Sequence, residues 1–209
     1  QVVDENLFDI VVQGMREEAR GATSKLIQEK EPLKIIDEDI VPALDLVGEQ
    51  YENGTIFLPQ LIQSAETVKE AFKVIKKKLG RGSNAQLSKG KIVLATVKGD
   101  IHDIGKNIVK VLLESYGFEV VDLGKDVSVE RIVDEAIKNK VKLVGLSALM
   151  TTTVKNMEET IKALREAYPS CKVMVGGAVL TQEYADMICA DFYAKDAKEA
   201  VAIAKQVLR

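Results

Sequence analysis

The chain has 209 residues, 46% hydrophobic and 29% charged, with a formal net charge of −3, a composition that supports a real buried core. No stretch approaches the ~18 uninterrupted apolar residues of a membrane span, and the opening QVVDENLFDI lacks a basic-then-apolar signal pattern. Residues 1–88 hold 11 Lys and Arg against 15 Asp and Glu, and the remainder 18 against 17, with no Trp anywhere; without a basic stripe this argues against nucleic-acid and membrane partners. Two cysteines, Cys171 and Cys189, make no disulfide framework and suit a reducing, cytoplasmic setting.

Apolar residues first recur at helical spacing. Leu7, Ile10 and Val11 predict a short first helix, and a second carries Leu26 and Ile27 and ends near Glu31. Pro32 opens a third, which continues through Ile35, Ile36, Ile40, Val41, Leu44 and Val47 with a kink expected at Pro42. Asn53-Gly54 stops it, and a fourth runs from Leu58 to Leu79 through Leu61, Ala65, Val68, Phe72 and Ile75. Four helices with short connections predict an antiparallel bundle over residues 1–88. The polar, glycine-rich Gly80–Gly90 (GRGSNAQLSKG) reads as a linker.

Beyond it the rhythm becomes strand, loop, helix. Lys91–Val97, Phe118–Asp122, Leu143–Ser147, Lys172–Gly176 and a shorter Phe192–Ala194 are β-branched apolar runs that suit parallel strands covered on both faces. Helices are predicted between and after them, over Asn107–Tyr116, Val129–Asn139, Val154–Ala167, Thr181–Ile188 and Ala197–Leu208. The alternation predicts a Rossmann-type, flavodoxin-like sheet of five parallel strands over residues 89–209, so the fold class is a helical bundle followed by an α/β domain. Ligands of such sheets bind beyond the carboxyl ends of the strands, at the switch point, which directs attention to the loops after strands one, three and four.

The first of these loops, Gly99-Asp100-Ile101-His102-Asp103-Ile104-Gly105-Lys106-Asn107, holds the only histidine of the chain. Residues two apart in an extended loop point the same way, so Asp100 can reach one ring nitrogen of His102 while the other faces outward; this is how a carboxylate fixes the tautomer of a metal-binding imidazole. Gly105 lets a bulky group approach the start of the next helix. A surface histidine beside a helix N-terminus is the plainer reading of an isolated D-x-H. Cys/His zinc spacing is absent, so a metal on His102 would take its other ligands from a cofactor. Ser–His–Asp catalysis is possible in composition, but the nucleophile elbow G-x-S-x-G is absent, and Gly99 to Gly105 matches neither the phosphate loop nor G-x-G-x-x-G, so nucleotide hydrolysis and hydride transfer drop away.

D-x-H-x-x-G after a first strand, a Ser on strand three and Gly-Gly after strand four resemble the cobalamin-binding domain of methionine synthase and the corrinoid proteins of multi-component methyltransferase systems. The likeness extends through GDIHDIGKNIV, VDLG at Val121–Gly124, VGLSALMTTT at Val144–Thr153 and VGGA at Val175–Ala178. ALDLVGEQYENGTIFLPQLIQSAETVK at Ala43–Lys69 is similar to the helical cap that precedes that domain, so the resemblance spans about four-fifths of the chain. It implies cobalamin as cofactor, with its lower base displaced from the cobalt, its tail inserted in the α/β domain, and His102 as the metal's axial ligand. Asp100 would hold His102, and the relay would end at the hydroxyl of Thr153, where methionine synthase has Ser. Cofactor contacts are implied at Asp103, Ile104, Gly105, Ser147, Leu149, Thr151, Gly176, Gly177 and Ala178, the small residues clearing a slot for the tail. Tyr51, Leu58 and Leu61 would lie over the corrin ring with Phe57 in support; bundle core is the alternative for all four.

The activity implied is methyl carriage, in which cob(I)alamin takes a methyl group, becomes methylcobalamin and surrenders the methyl to an acceptor such as tetrahydrofolate or a thiol coenzyme. No substrate-activating site is evident, so the chain is expected to be a non-catalytic shuttle subunit. Its expected partners are a donor-specific methyltransferase, an acceptor methyltransferase and a corrinoid reactivase, with Gly80–Gly90 as the hinge that lets the cap move. A cobalamin-dependent regulator or light sensor shares the architecture and is the alternative, followed by a fragment of a carbon-skeleton mutase and a flavodoxin-like module without corrinoid.

Overall fold

Asn6 starts the first helix: its side chain accepts from the Asp9 amide at 2.9 Å and caps α1 (Leu7–Gln13), whose buried Leu7, Ile10 and Val11 are those the spacing picked out. The computed structural model describes residues 6–79 and 89–208, and the chain divides into two compact units, Gln1–Leu87 and Ser88–Arg209. Residues 80–88 of the expected linker lie outside the described residues. Among the described residues no helix is long and apolar enough to cross a membrane.

In the first unit α2 (Arg16–Leu26) ends short of the expected Glu31. The predicted third helix is three pieces: α3 (Pro32–Ile35), a π-helical turn over Ile36–Ile40, and α4 (Val41–Glu52). The cause is Pro42. It has no N–H for the Glu38 carbonyl and its ring would strike that carbonyl, so the register slips upstream and the Val41 N–H reaches back five residues to Ile36. Asn53 ends α4 as expected, its Oδ1 accepting from the Thr55 amide at 3.0 Å. In α5 (Leu58–Leu79) Leu61, Ala65, Val68, Phe72 and Ile75 form one buried stripe, and α5 packs on α1, α2 and α4. Where α2 meets α5, the buried Glu70 carboxylate accepts from Lys73 (2.7 Å), Arg20 (2.5 Å) and Arg16 (3.3 Å). Those bonds, Lys73 foremost, outweigh burial and pull its pKa down to about 2.

The second unit alternates as the sequence predicts: β1 (Lys91–Thr96), α6 (Ile104–Ser115), β2 (Glu119–Asp122), α7 (Val129–Lys138), β3 (Leu143–Ser147), α8 (Val154–Ala167), β4 (Lys172–Gly176), α9 (Gln182–Met187), β5 (Phe192–Tyr193) and α10 (Ala197–Val207). The strands are all parallel in the order β2-β1-β3-β4-β5, the expected flavodoxin-like arrangement. Burial of Ile92 to Thr96 and of Leu143 to Leu146 shows why these strands read as continuous apolar runs rather than alternating ones. The chain moves from β1 outward to β2 and returns across to β3, so the switch point lies between β1 and β3 and the loops leaving those strands are neighbours. Helix α6 begins at Ile104, ahead of the expected Asn107, with Asp103 at the N-cap position. Its first turn is tied to β2 by Lys106, a lysine with 2% of its side chain exposed, whose ammonium lies 2.6 Å from Asp122 Oδ1 and 2.9 Å from Asn107 Oδ1.

Candidate cofactor site at the switch point

The loop after β1 is held from three directions. The Gly99 amide donates to Asp126 Oδ1 at 2.8 Å, Asn156 Nδ2 on α8 donates to the Lys98 carbonyl at 2.6 Å, and the Asp126 amide donates to the Asp100 carbonyl at 2.9 Å. Between these anchors the Asp100 side chain turns inward and is fully buried. Its Oδ1 accepts from the His102 amide (3.0 Å) and His102 Nδ1 (2.8 Å). Its Oδ2 accepts from the amides of Leu149 (2.8 Å) and Met150 (3.3 Å) and lies 2.7 Å from Thr153 Oγ1. Burial alone would raise the pKa of this carboxyl, but the amides of His102 and Leu149, the Thr153 hydroxyl and the His102 ring together hold it far below the usual carboxylate range.

An ionised carboxylate only accepts, so His102 Nδ1 carries the proton and the Nε2 lone pair is left for a ligand. Among the described residues none bonds Nε2, and 45% of the His102 side chain is exposed. Close to it in the chain, or bonded to Asp100 through its amide, stand the exposed apolar residues Ile101 (63% exposed), Ile104 (71%) and Leu149 (40%). Thr153 Oγ1 is also 2.8 Å from the Met150 carbonyl; its single proton serves either that oxygen or Asp100.

The expected site residues of the second unit fall on the loops after β1, β3 and β4, on the last residues of β3 and β4 and on the first turn of α6, all at the same end of the sheet. Asp100, His102, Leu149 and Thr153 are brought into one hydrogen-bonded group, and Ser147 Oγ lies 3.0 Å from Thr96 Oγ1 at the adjoining strand ends. Asp103 stands at the N-cap of α6 without a capping bond, Thr151 is exposed, Gly176 is half-buried and Ala178 is exposed. Gly177 has a reason of its own, beyond clearing space for a tail. At φ +139° a Cβ would lie 1.8 Å from the Ala148 carbonyl oxygen, so the contact between the β3 and β4 loops already demands glycine. At Gly105 a Cβ would meet nothing within 4 Å, so room is available beside the first turn of α6.

In the first unit Phe57, the residue before α5, is 67% exposed, and its amide donates to Gln60 Oε1 at 2.9 Å. Tyr51 and Leu58 are half-buried. Leu61, expected over a ring, is 1% exposed and lies in the buried stripe of α5.

Sequence reading missed Thr96, Asp126, Asn156 and the Lys106–Asp122 pair. Threonine at a strand end and lysine in a helix carry no signal in one sequence, because β propensity and solvation already account for them.

The B12 binding domain family matches residues 90–202, and a second family of the same description matches residues 3–76. The chain belongs to the B12-binding family. The chain is 40% identical over 206 residues to "Dimethylamine corrinoid protein 2" of Methanosarcina mazei, covering 98% of this chain and 96% of that one. It is also 40% identical over 192 residues to "Trimethylamine corrinoid protein 1" of the same organism, covering 91% and 89%. Among solved structures it superposes on the methanol:cobalamin methyltransferase complex MtaBC of Methanosarcina barkeri with a TM-score of 0.83 and 30% identity, over 98% of this chain and 79% of that one. A cobalamin-binding protein of Desulfitobacterium hafniense gives 0.79 and 30%, covering 96% of each.

Cobalamin is the cofactor of this B12-binding chain, and the residues fit it. Among the described residues no group of three His, Cys, Asp or Glu side chains could hold a metal ion. His102 offers one nitrogen and, among the described residues, belongs to no such group, which suits a metal whose other positions are filled by a macrocycle. The exposed Ile101, Ile104 and Leu149 offer apolar area to a broad ring, and the open space at Gly105 leaves room beside it.

Proposed function

We propose that this corrinoid protein binds cobalamin base-off and His-on, with His102 Nε2 as the cobalt's lower ligand, and carries methyl groups between two methyltransferases. The observation that carries the reading is the sole histidine, presented outward at the switch point with its Nδ1–H held at 2.8 Å by a buried carboxylate. When bound, the cofactor supplies a cobalt centre that accepts a methyl group from one partner and yields it to another. The residues of the chain control that centre. Asp100 fixes the imidazole tautomer and makes Nε2 the stronger donor. Thr153, sharing one proton between Asp100 and the Met150 carbonyl, sets how much negative charge Asp100 keeps for His102. Ser147, Thr151, Gly176 and Ala178 border the path of the tail, and Tyr51, Leu58 and Phe57 of the helical unit are the side chains available to shield the ring from water.

The relatives at 40% identity are corrinoid proteins of dimethylamine and trimethylamine systems. We therefore place the loading partner among methylamine-specific methyltransferases, with a second methyltransferase as acceptor partner and a reactivase restoring oxidised cobalt. The test mixes the chain with hydroxocobalamin, removes free ligand by gel filtration and records the visible spectrum beside that of His102→Ala. Stoichiometric corrinoid in both, with a spectrum that changes in the variant, is the expected result; no retained corrinoid, or identical spectra, overturns the reading.

A further inference from the structure

Thr96 ends β1 directly beside Ser147 at the end of β3, and it is fully buried. Its backbone is bonded on both sides: the amide donates to the Gly124 carbonyl at 2.9 Å and its carbonyl accepts from the Val127 amide at 3.1 Å. Only the side chain is spare. Its Oγ1 lies 3.2 Å from the His102 carbonyl and 3.0 Å from Ser147 Oγ. Among the described residues the Thr96 hydroxyl is the one group that bonds the His102 carbonyl.

One proton on Thr96 must serve two oxygens. In one arrangement Ser147 donates to Thr96 and Thr96 donates to the His102 carbonyl; both bonds form, and Ser147 presents only lone pairs outward. In the other, Thr96 donates to Ser147, the His102 carbonyl loses its donor, and the Ser147 proton is free for a group beyond the strand end. A hydroxyl pair 3.0 Å apart without a proton between them is repulsive, so a ligand that takes the Ser147 proton forces the second arrangement.

We propose that Thr96 is a positioning residue for His102, its hydroxyl proton holding the His102 carbonyl until a ligand group claims the proton of Ser147. This rests on the reading of His102 as the cobalt ligand. Asp100 fixes the ring of His102, and Thr96 fixes the backbone that carries it, so the seating of the imidazole answers to what occupies the strand-three end.

The chain gives a direct readout because His102 is its only histidine, so the apo-protein shows one set of imidazole resonances. Thr96→Val keeps shape and backbone bonds; it is expected to move those resonances and to weaken hydroxocobalamin binding about fivefold, with a smaller His-on share in the visible spectrum. Thr96→Ser is expected to restore both. Ser147→Ala leaves Thr96 its bond to the His102 carbonyl and is expected to leave the apo resonances in place. Wild-type resonances and spectrum in Thr96→Val, or a shift in Ser147→Ala as large as in Thr96→Val, overturn the proposal. Thr96→Ala is read in the same way should Thr96→Val not fold. If the wild type retains no corrinoid, the cobalt-ligand reading falls, while the apo resonances still decide whether Thr96 holds His102.

Discussion

Asp100 accepts all five of its hydrogen bonds from donors that have few other places to go, and this explains why the group is an aspartate. An asparagine of the same shape would present an NH2 either to the His102 amide and ring or to the Leu149 and Met150 amides, setting donor against donor inside a buried site. Keeping its oxygen toward His102 leaves the two amides of the β3 loop unsatisfied, at a cost of ~1–3 kcal/mol for each group fully left without a partner. Asp100→Asn is therefore expected to lose about 3 kcal/mol, read as a fall in the urea midpoint of the transition of the unit Ser88–Arg209, its slope unchanged. An unchanged midpoint would mean that water serves those amides as well as the carboxylate does. The pairing with His102 was legible in the sequence because a two-residue spacing in an extended loop is a local geometric fact. The inward bonds to Leu149, Met150 and Thr153 were not, because they depend on β3 lying beside β1. Gly177 teaches the same lesson from the other side: its glycine is required by a carbonyl of the neighbouring loop, a contact about 30 residues away that no local pattern records.

Whole elements were more legible than their interiors. The five strands follow from short β-branched runs, and their order from the alternation with helices. Pro42 announced a kink, yet its form, a π turn upstream of the proline, came from the carbonyl the ring had to avoid. The packing of α2 on α5 holds a group that composition could not reveal, since Glu70 lies 54 positions from Arg16 and 50 from Arg20. The pKa of Glu70 is about 2 in the folded chain against an ordinary 4.5. A depressed carboxyl contributes stability that is fully present above pH 4.5 and drains away as pH falls toward 2. The helical unit should thus lose stability across that window, and Glu70→Gln should flatten the slope there while lowering stability near pH 7. Thermal midpoints by circular dichroism between pH 2 and 5 check this; parallel curves for variant and wild type would remove Glu70 from the account.

The molecule carries two cores, one in each compact unit, and each is built from its own elements: the α5 stripe against α1, α2 and α4 in one, the covered parallel sheet in the other. Two cores give no reason for a single cooperative transition. Glu70→Gln should therefore displace one unfolding step and leave the other where it was. Cobalamin should act on the steps unequally, because a ligand stabilises what binds it by RT ln(1 + [L]/Kd), ~2.7 kcal/mol at a hundredfold excess over Kd. His102, Asp100, Ser147, Thr153 and Gly105 all belong to residues 88–209, so the step assigned to that unit should rise with hydroxocobalamin. The helical step should rise only by what Tyr51, Leu58 and Phe57 contribute to holding the ring. Differential scanning calorimetry of wild type and Glu70→Gln, with and without the corrinoid, separates the two contributions. A rise confined to the α/β step would make the helical unit a cover with little hold on the cofactor. Equal rises would make it a binding partner in its own right.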